Sequence, residues 1–300
     1  MRGSSQPDGP LFMFAILAAS TVLAADPVAA CESRLLSYAG WREGPDTVWN
    51  LDIAGAPGGR LIYIGALHSR DAADPQFAGV EAAFRAAAPT VVFYEGPDRG
   101  VGADGADTIV TRGESGYVRW LAAQGGVRIS SLEPSPIDQF KALGERFPAD
   151  QVELFFVLRE AVRLRDREHL TSEALEGAVG TMLSRLEGIA AGAGVKLPFS
   201  DLDGLGAAYS AYWSGGPDWR AAPAAWFDPL ADDAATGGRF MASVNAASSE
   251  ARNVHMYRAL ARATLSGERV FALVGRNHVP MQAAALRCAL TADRAFAPAS

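Results

Sequence analysis

Cysteine is nearly absent from this chain: Cys31 and Cys288 are the only two in 300 residues. So few thiols exclude a zinc-ribbon framework and a disulfide-dense miniature fold, and leave any metal to histidine and carboxylate. Histidine is sparse as well, at His68, His169, His255 and His278. Positive charge is in the minority, with 27 Lys and Arg against 34 Asp and Glu for a formal net charge of -7. That balance offers no basic patch for a polyanion, so no nucleic-acid partner is expected. There is no G-x-S-x-G nucleophile elbow, no P-loop and no H-E-x-x-H, and no G-x-G-x-x-G dinucleotide fingerprint is expected, so neither a serine hydrolase of that type, an NTPase nor a Rossmann dehydrogenase is expected.

What is present begins with a leader pattern. Arg2 and the α-amino group precede the uncharged run Leu11 to Ala25 (LFMFAILAASTVLAA). Fifteen residues fall short of the roughly 20 a membrane-spanning helix needs, which predicts a signal peptide over residues 1–30 and no transmembrane segment in the mature chain. The expected location is therefore exported, periplasmic or secreted. Small residues at Val28-Ala29-Ala30 favour cleavage before Cys31. Cys31 is then disulfide-bonded to Cys288, lipidated at a V-A-A-C lipobox, or one of two free thiols.

In residues 31–300, 49% hydrophobic and 20% charged composition over the whole sequence fits a globular domain. Apolar runs at Arg60–Leu67, Thr90–Tyr94, Val127–Leu132 and Arg269–Val274 read as strands, with an extra, antiparallel edge strand at 46–53. Asp74-Pro75 opens a helix over 76–88, and helical spacing recurs at 114–123 and 281–290. Helices are also predicted near 137–147, 150–169, 171–192, 201–213 and 240–265. Strand–helix alternation predicts an α/β fold with a mainly parallel central sheet flanked by helices, in a single domain with a large helical insertion at about 137–266 before the last core strand.

Four polar residues, His68, Glu95, Glu133 and His278, each follow a predicted strand. Ligands in open α/β sheets bind beyond the carboxyl ends of the strands, so parallel strands would bring these four to one rim. Taken singly, each is an ordinary turn residue; the repetition is what points to a site. Two imidazoles and two carboxylates can hold a divalent metal with a position left for water. Arg252 shares an apolar helix face with Met256 and Leu260, which calls for an anionic partner or, failing that, a snorkelling surface arginine. His255 is a candidate neighbour of that site, whereas His169 is expected in solvent. Tyr209, Tyr212, Trp213, Trp219, Trp226 and Phe227 crowd one stretch, either as the roof of an apolar pocket or as core.

The paired motifs Gly65-Ala-Leu-His68 and Gly275-Arg-Asn-His278, with Glu95 after the next strand and Arg252 before the last, resemble the superfamily that contains TIKI proteases, TraB and GumN-like proteins, erythromycin esterases and ChaN-like haem-binding proteins. The likeness runs from about Leu61 to Leu290 through the blocks IGALHSRDAADPQF, TVVFYEGP, ISSLEPS, EARNVHMYRAL and FALVGRNHVPMQAAAL. It implies an α/β fold and a site at His68, Glu95, Arg252 and His278; with the strand-end reading, His68, Glu95 and His278 are expected as metal ligands, Glu133 as ligand or general base, and Arg252 as orienting a carboxylate or stabilising developing charge. The implied activity is metal-dependent hydrolysis of a peptide, amide or ester bond in a small-molecule or peptide substrate. The implied metal is manganese, cobalt or zinc. ChaN-like members imply the alternative, a haem- or metal-chelate-binding protein without catalysis. Asn253 stands where many relatives of this branch carry an acidic residue, which puts a carboxylate contact there in question.

Overall fold

The computed structural model describes residues 26–55, 58–216 and 218–296, with side chains described through residue 291. In chain order the elements are α1 (Pro27–Cys31), β1 (Asn50–Ala54), β2 (Arg60–Ala66), α2 (Pro75–Ala87), β3 (Val91–Tyr94), α3 (Gly105–Gln124), β4 (Arg128–Ser131), α4 (Pro136–Gly144), α5 (Ala149–Arg167), α6 (Ser172–Gly192), α7 (Leu202–Tyr212), α8 (Asp233–Thr236), α9 (Met241–Leu265), β5 (Arg269–Gly275) and α10 (His278–Phe296).

The sheet order is β1-β2-β5-β3-β4. The pairs β2–β5, β5–β3 and β3–β4 are parallel, while β1 runs antiparallel at the edge, as its sequence suggested. β5 is the last strand in sequence but central in space. Val270 to Val274 are all buried, because helices cover both sheet faces. The register aligns Ala66 with Gly275, and Tyr94 with both Leu273 and Ser131. The carboxyl ends of β2, β5, β3 and β4 therefore form one rim.

Local chemistry accounts for the crossovers. Asp74 accepts from Gln76 N at 3.0 Å and Pro75 starts α2, whose Phe77, Val80, Phe84 and Ala87 pack on the sheet. α3 is two helical segments joined at Gly113, whose φ of 67° favours glycine. The second segment starts at Glu114, where the sequence predicted a helix start. The first segment went unread because its exposed polar positions give little periodicity.

The insertion has its own apolar core, separate from the two that sandwich the sheet. α9 is common to both regions: Met241, Val244 and Ala247 pack in the insertion, and Met256, Tyr257 and Leu260 pack against the sheet. The aromatic crowd belongs to the insertion core and not to a pocket roof. Trp213 and Trp226 stack at 4.8 Å, Tyr209 and Trp213 at 4.9 Å, and the indole N–H groups of Trp213 and Trp226 donate to Gly237 O and Thr236 O. Those bonds let two tryptophans be buried without loss.

Cys31 is joined to Cys288, so its sulfur is not available for a lipid thioether. α1 also belongs to the folded body. Asp26 caps it, Val28 is buried, and Tyr257 Oη donates to Val28 O at 2.7 Å. A cut before Cys31 would remove these contacts from the folded body. The run 11–25 itself lies outside the described residues.

Candidate functional site

β3 ends at Tyr94 and delivers Glu95, and β4 delivers Glu133 two residues beyond Ser131. α9 brings Arg252 between them. Arg252 Nε donates to Glu133 Oε2 at 2.8 Å, and Nη2 reaches Glu133 Oε1 at 2.5 Å and Glu95 Oε1 at 2.7 Å. Arg252 is buried, which settles the snorkelling alternative against itself. One guanidinium serves two carboxylates; a lone buried charge of either sign would be costly. Burial lowers the guanidinium's proton affinity, but the two glutamates outweigh it and hold the pKa above the ordinary arginine value. Nη1 donates to no described residue and is not sealed from solvent, so it is open toward the rim.

Glu133 is used up by this arrangement. Both its oxygens face Arg252, and Gly96 N adds a bond at 3.2 Å. It positions Arg252 and is poorly placed to act as a general base.

His278 opens α10, is buried, and turns Nε2 toward Glu95 Oε1 at 3.4 Å. Its Nδ1 lies 2.7 Å from Asn253 Oδ1, which also accepts from Gln282 Nε2 at 2.8 Å. Because Gln282 can only donate there, Asn253 Oδ1 is an acceptor and His278 Nδ1 carries a proton. The amide carbonyl of Asn253 thus does the orienting that a carboxylate would do, without adding charge. Behind it, Tyr63 Oη and Gln282 Oε1 are sealed from solvent and lack strict hydrogen-bond geometry, although the two side chains adjoin. Burial, then the field of Glu95, pushes the Tyr63 phenol well above its usual range.

Burial raises the Glu95 carboxyl, yet His278 and Arg252 beside it and the Gly275 N–H outweigh burial and hold it well below the usual carboxylate range. Glu95 stays ionised across ordinary pH.

The glycines of the two Gly-x-x-His motifs have separate steric reasons. A Cβ on Gly65 would sit 2.7 Å from Arg276 Cα and 2.8 Å from Trp49 O. A Cβ on Gly275 would sit 3.1 Å from Glu95 Oε2 and 3.6 Å from His68 Nε2. The bare backbone of Gly275 is therefore what lets Glu95 and His68 approach one another.

His68 is the exposed member, with its side chain 61% accessible. Its Nδ1 lies 2.5 Å from the largely buried Glu114. That bond raises the imidazole pKa above 6.5, burial opposing it. Glu114 did not stand out in the sequence because it follows no strand. Its one signal was Gly113-Glu114 at a helix start, where a carboxylate is favoured by the helix dipole.

The structure thus brings His68, Glu95, Glu133, Arg252 and His278 to one rim and adds Glu114, Asn253 and Gln282. His255 is exposed and stands apart, contrary to its candidate role, and His169 is exposed as expected. Among the described residues no group of three His, Cys, Asp or Glu is arranged to hold a metal. Both Glu95 oxygens are engaged, by Arg252 and by Gly275 N, leaving His68 Nε2 and His278 Nε2 as open donors. In this arrangement a divalent cation would share Glu95 with Arg252 and Gly275 N, with His68 Nε2 and His278 Nε2 as its nitrogen ligands.

Two concavities of about 560 and 500 Å³ lie off the rim, one over β1, β2 and α2 and the other between α2 and α3, and include none of the candidate residues. The charge constellation, not concavity, locates the site. The second concavity borders Gly100-Val-Gly-Ala-Asp-Gly105, which does spell G-x-G-x-x-G ahead of a helix. Its helix-end amides already face carboxylates: Asp107 N donates to Asp104 and Ala103 N to Asp107, both at 2.8 Å. Those anions occupy the place a dinucleotide pyrophosphate would take.

Compared with known proteins, the chain matches no family model, no curated protein and no solved structure.

Proposed function

We propose that the rim is a hydrolytic centre cleaving a peptide, amide or ester bond, as the resemblance to the TIKI and erythromycin-esterase group implies, with water activated by imidazole. The observation that carries this reading is the approach of two histidines to Glu95 and Gly275: His68 backed by Glu114, and His278 held between Asn253 and Glu95. Nδ1 of His68 donates to Glu114, which leaves the Nε2 lone pair to take a proton from water as its oxygen attacks the carbonyl carbon. The oxyanion forms near Arg252 Nη1, a donor already fixed by two carboxylates and needing no reorganisation. The proton that His68 Nε2 took from water passes to the departing amine or alkoxide and returns that ring to its starting state, while His278, held at Nδ1 by Asn253, accepts from the attacking water through Nε2 and orients it.

Metal-dependent catalysis is the second reading. The 3.4 Å gap between His278 Nε2 and Glu95 Oε1 favours it, since a cation as well as a proton can bridge that gap. The Cys31–Cys288 bridge supports an exported location, because such bonds persist in oxidising compartments.

The test is a panel of chromogenic esters, anilides and peptides assayed with wild type, His278→Ala and Glu95→Gln, beside metal analysis of the purified protein. The reading expects turnover of one class and a loss of about 100-fold or more in each variant. Equal rates in all three proteins would remove the site. Stoichiometric metal lost with His278→Ala would replace imidazole activation by the metal reading, and tight haem uptake with no turnover would support the binding-protein alternative.

A further inference from the structure

The face of α5 that meets the rim carries arginine at three successive turns, Arg159, Arg163 and Arg167. Spacing of i, i+4 and i+8 keeps all three on one side of the helix. That side is fixed against the loop that carries His68, because Glu168 accepts from Arg163 at 2.9 Å and from Arg70 at 3.2 Å. Arg99, in the loop that follows Glu95, joins the same group beside Arg163, Arg70, Glu160 and Glu168. Five arginines from three segments therefore meet, and among the described residues Glu160 and Glu168 are the carboxylates hydrogen-bonded to them.

Arg163 and Arg70 are paired; Arg99, Arg159 and Arg167 form no ion pair among the described residues. Arg167 lies near His68. Arg159 is the informative one. It adjoins Arg252, Glu133 and Glu95, yet bonds to neither carboxylate, and its guanidinium sits 5.8 Å from the Phe155 ring. Its side chain is exposed to solvent and free to meet a ligand. Enclosure first, then the neighbouring Arg252, makes its positive charge less favourable than usual; Arg99 is disfavoured by enclosure and by Arg163. A chain with a net charge of -7 has gathered unpaired cations at its reactive rim.

We propose that this arginine cluster is an anion subsite that holds a carboxylate or phosphate group of the substrate next to the bond cleaved at His68 and His278. The inference rests on the hydrolytic reading for its second half; the anion subsite stands on the arginines. Planar guanidinium forks match both oxyanions. Arg159, between the cluster and Arg252, sets the distance from the anionic group to the reacting carbonyl.

The test measures binding by calorimetry at low ionic strength with succinate, inorganic phosphate and neutral succinamide, using wild type, Arg159→Gln, Arg159→Lys and Arg85→Gln. Arg85 is an exposed control on α2, paired only with Glu81. The expected result is binding of at least one anion about 10-fold or more tighter than succinamide, weakened about 10-fold in Arg159→Gln, only partly restored in Arg159→Lys, which keeps the charge but not the fork, and unchanged in Arg85→Gln. The tighter of succinate and phosphate identifies the group. Succinamide binding as well as both anions, or Arg159→Gln binding like wild type, overturns the inference. Parallel rates with 4-nitrophenyl hemisuccinate and 4-nitrophenyl butyrate separate the two claims. Turnover of both esters without Arg159-dependent anion binding leaves the hydrolase standing and the subsite refuted; Arg159-dependent binding without turnover of either does the reverse.

Discussion

Glu95 at the sheet rim and Glu153 in the insertion are both carboxyls withdrawn from water, and their proton affinities are shifted in opposite directions. Glu95 is met by Arg252, His278 and the Gly275 N–H, and is held well below the usual range. Glu153 is 2% exposed, receives one bond from Phe199 N at 3.2 Å, and has its Oε1 unpartnered. Burial pushes it up to about 7. Burial acts in the same direction on both; the partners decide the outcome. The rim has assembled charges that must stay charged, whereas the insertion has a carboxyl that it tolerates by keeping the proton.

The largest expected effect breaks the rim side of this contrast. Arg252→Ala leaves Glu95 and Glu133 facing one another without a cation, at a cost of about 3 to 5 kcal/mol in denaturant unfolding. Arg252→Lys keeps the charge but loses the fork, so it should retain most of that stability and lose activity instead. Arg85→Ala, on an exposed pair, is the control and should stay within about 0.5 kcal/mol.

Next is the bridge between α1 and α10. Replacing Cys31 and Cys288 with serine should cost about 2 to 4 kcal/mol. Hydrogen exchange should show the loss in α1 and α10, which carries His278, before it appears in the insertion core. Uniform loss across both regions would mean that they unfold as one unit.

On the insertion side, the unfolded Glu153 carboxyl releases its proton near 4.5 and the folded one near 7. Between those values the folded state holds more protons, so this group's contribution to stability declines as pH rises from about 4.5 to about 7 and is level above. Glu153→Gln should remove that decline and stabilise the protein at pH 8 by up to about 3 kcal/mol. Glu95 has the opposite sign: its stabilisation is present above 4.5 and is lost as pH falls through its depressed folded pKa. Unfolding midpoints from pH 3 to 8 in the two single variants, Glu153→Gln and Glu95→Gln, separate the two slopes.

The smallest effect concerns His68. Glu114 raises its pKa, so the acid limb of the kcat/KM profile should lie above 6.5 in wild type and move down in Glu114→Gln. A limb that stays in place would show that His68 is not the titrating base.

The strands and the rim residues were legible in the sequence because short buried runs stop abruptly at a polar residue, and parallel order brings such stops together. The long helices of the insertion were legible to within three residues from their apolar spacing and caps, and the one-turn helix Asp233–Thr236 was not. Glu114 was not, since it reaches the rim through a kink at Gly113 and not from a strand end. Tyr63 and Gln282 were hidden for a different reason: their polar atoms matter only once burial removes water, and nothing in a strand tyrosine or a helical glutamine announces that. The aromatic stretch was legible as a cluster, but deciding between pocket and core required the partners of its indole nitrogens. The short helix at Pro27–Cys31 was not legible, because small residues such as Val28-Ala-Ala give no apolar spacing to read.

The central claim is that His68 activates water without help from a metal. Its most direct test compares the hydrolysis rate of exhaustively chelated wild-type protein with that of His68→Ala on the substrate found in the panel. The account predicts that chelation leaves the wild-type rate intact and that His68→Ala lowers kcat/KM by about 10²- to 10⁴-fold. A wild-type rate that vanishes on chelation and returns with added metal, or a His68→Ala rate equal to wild type, would contradict it.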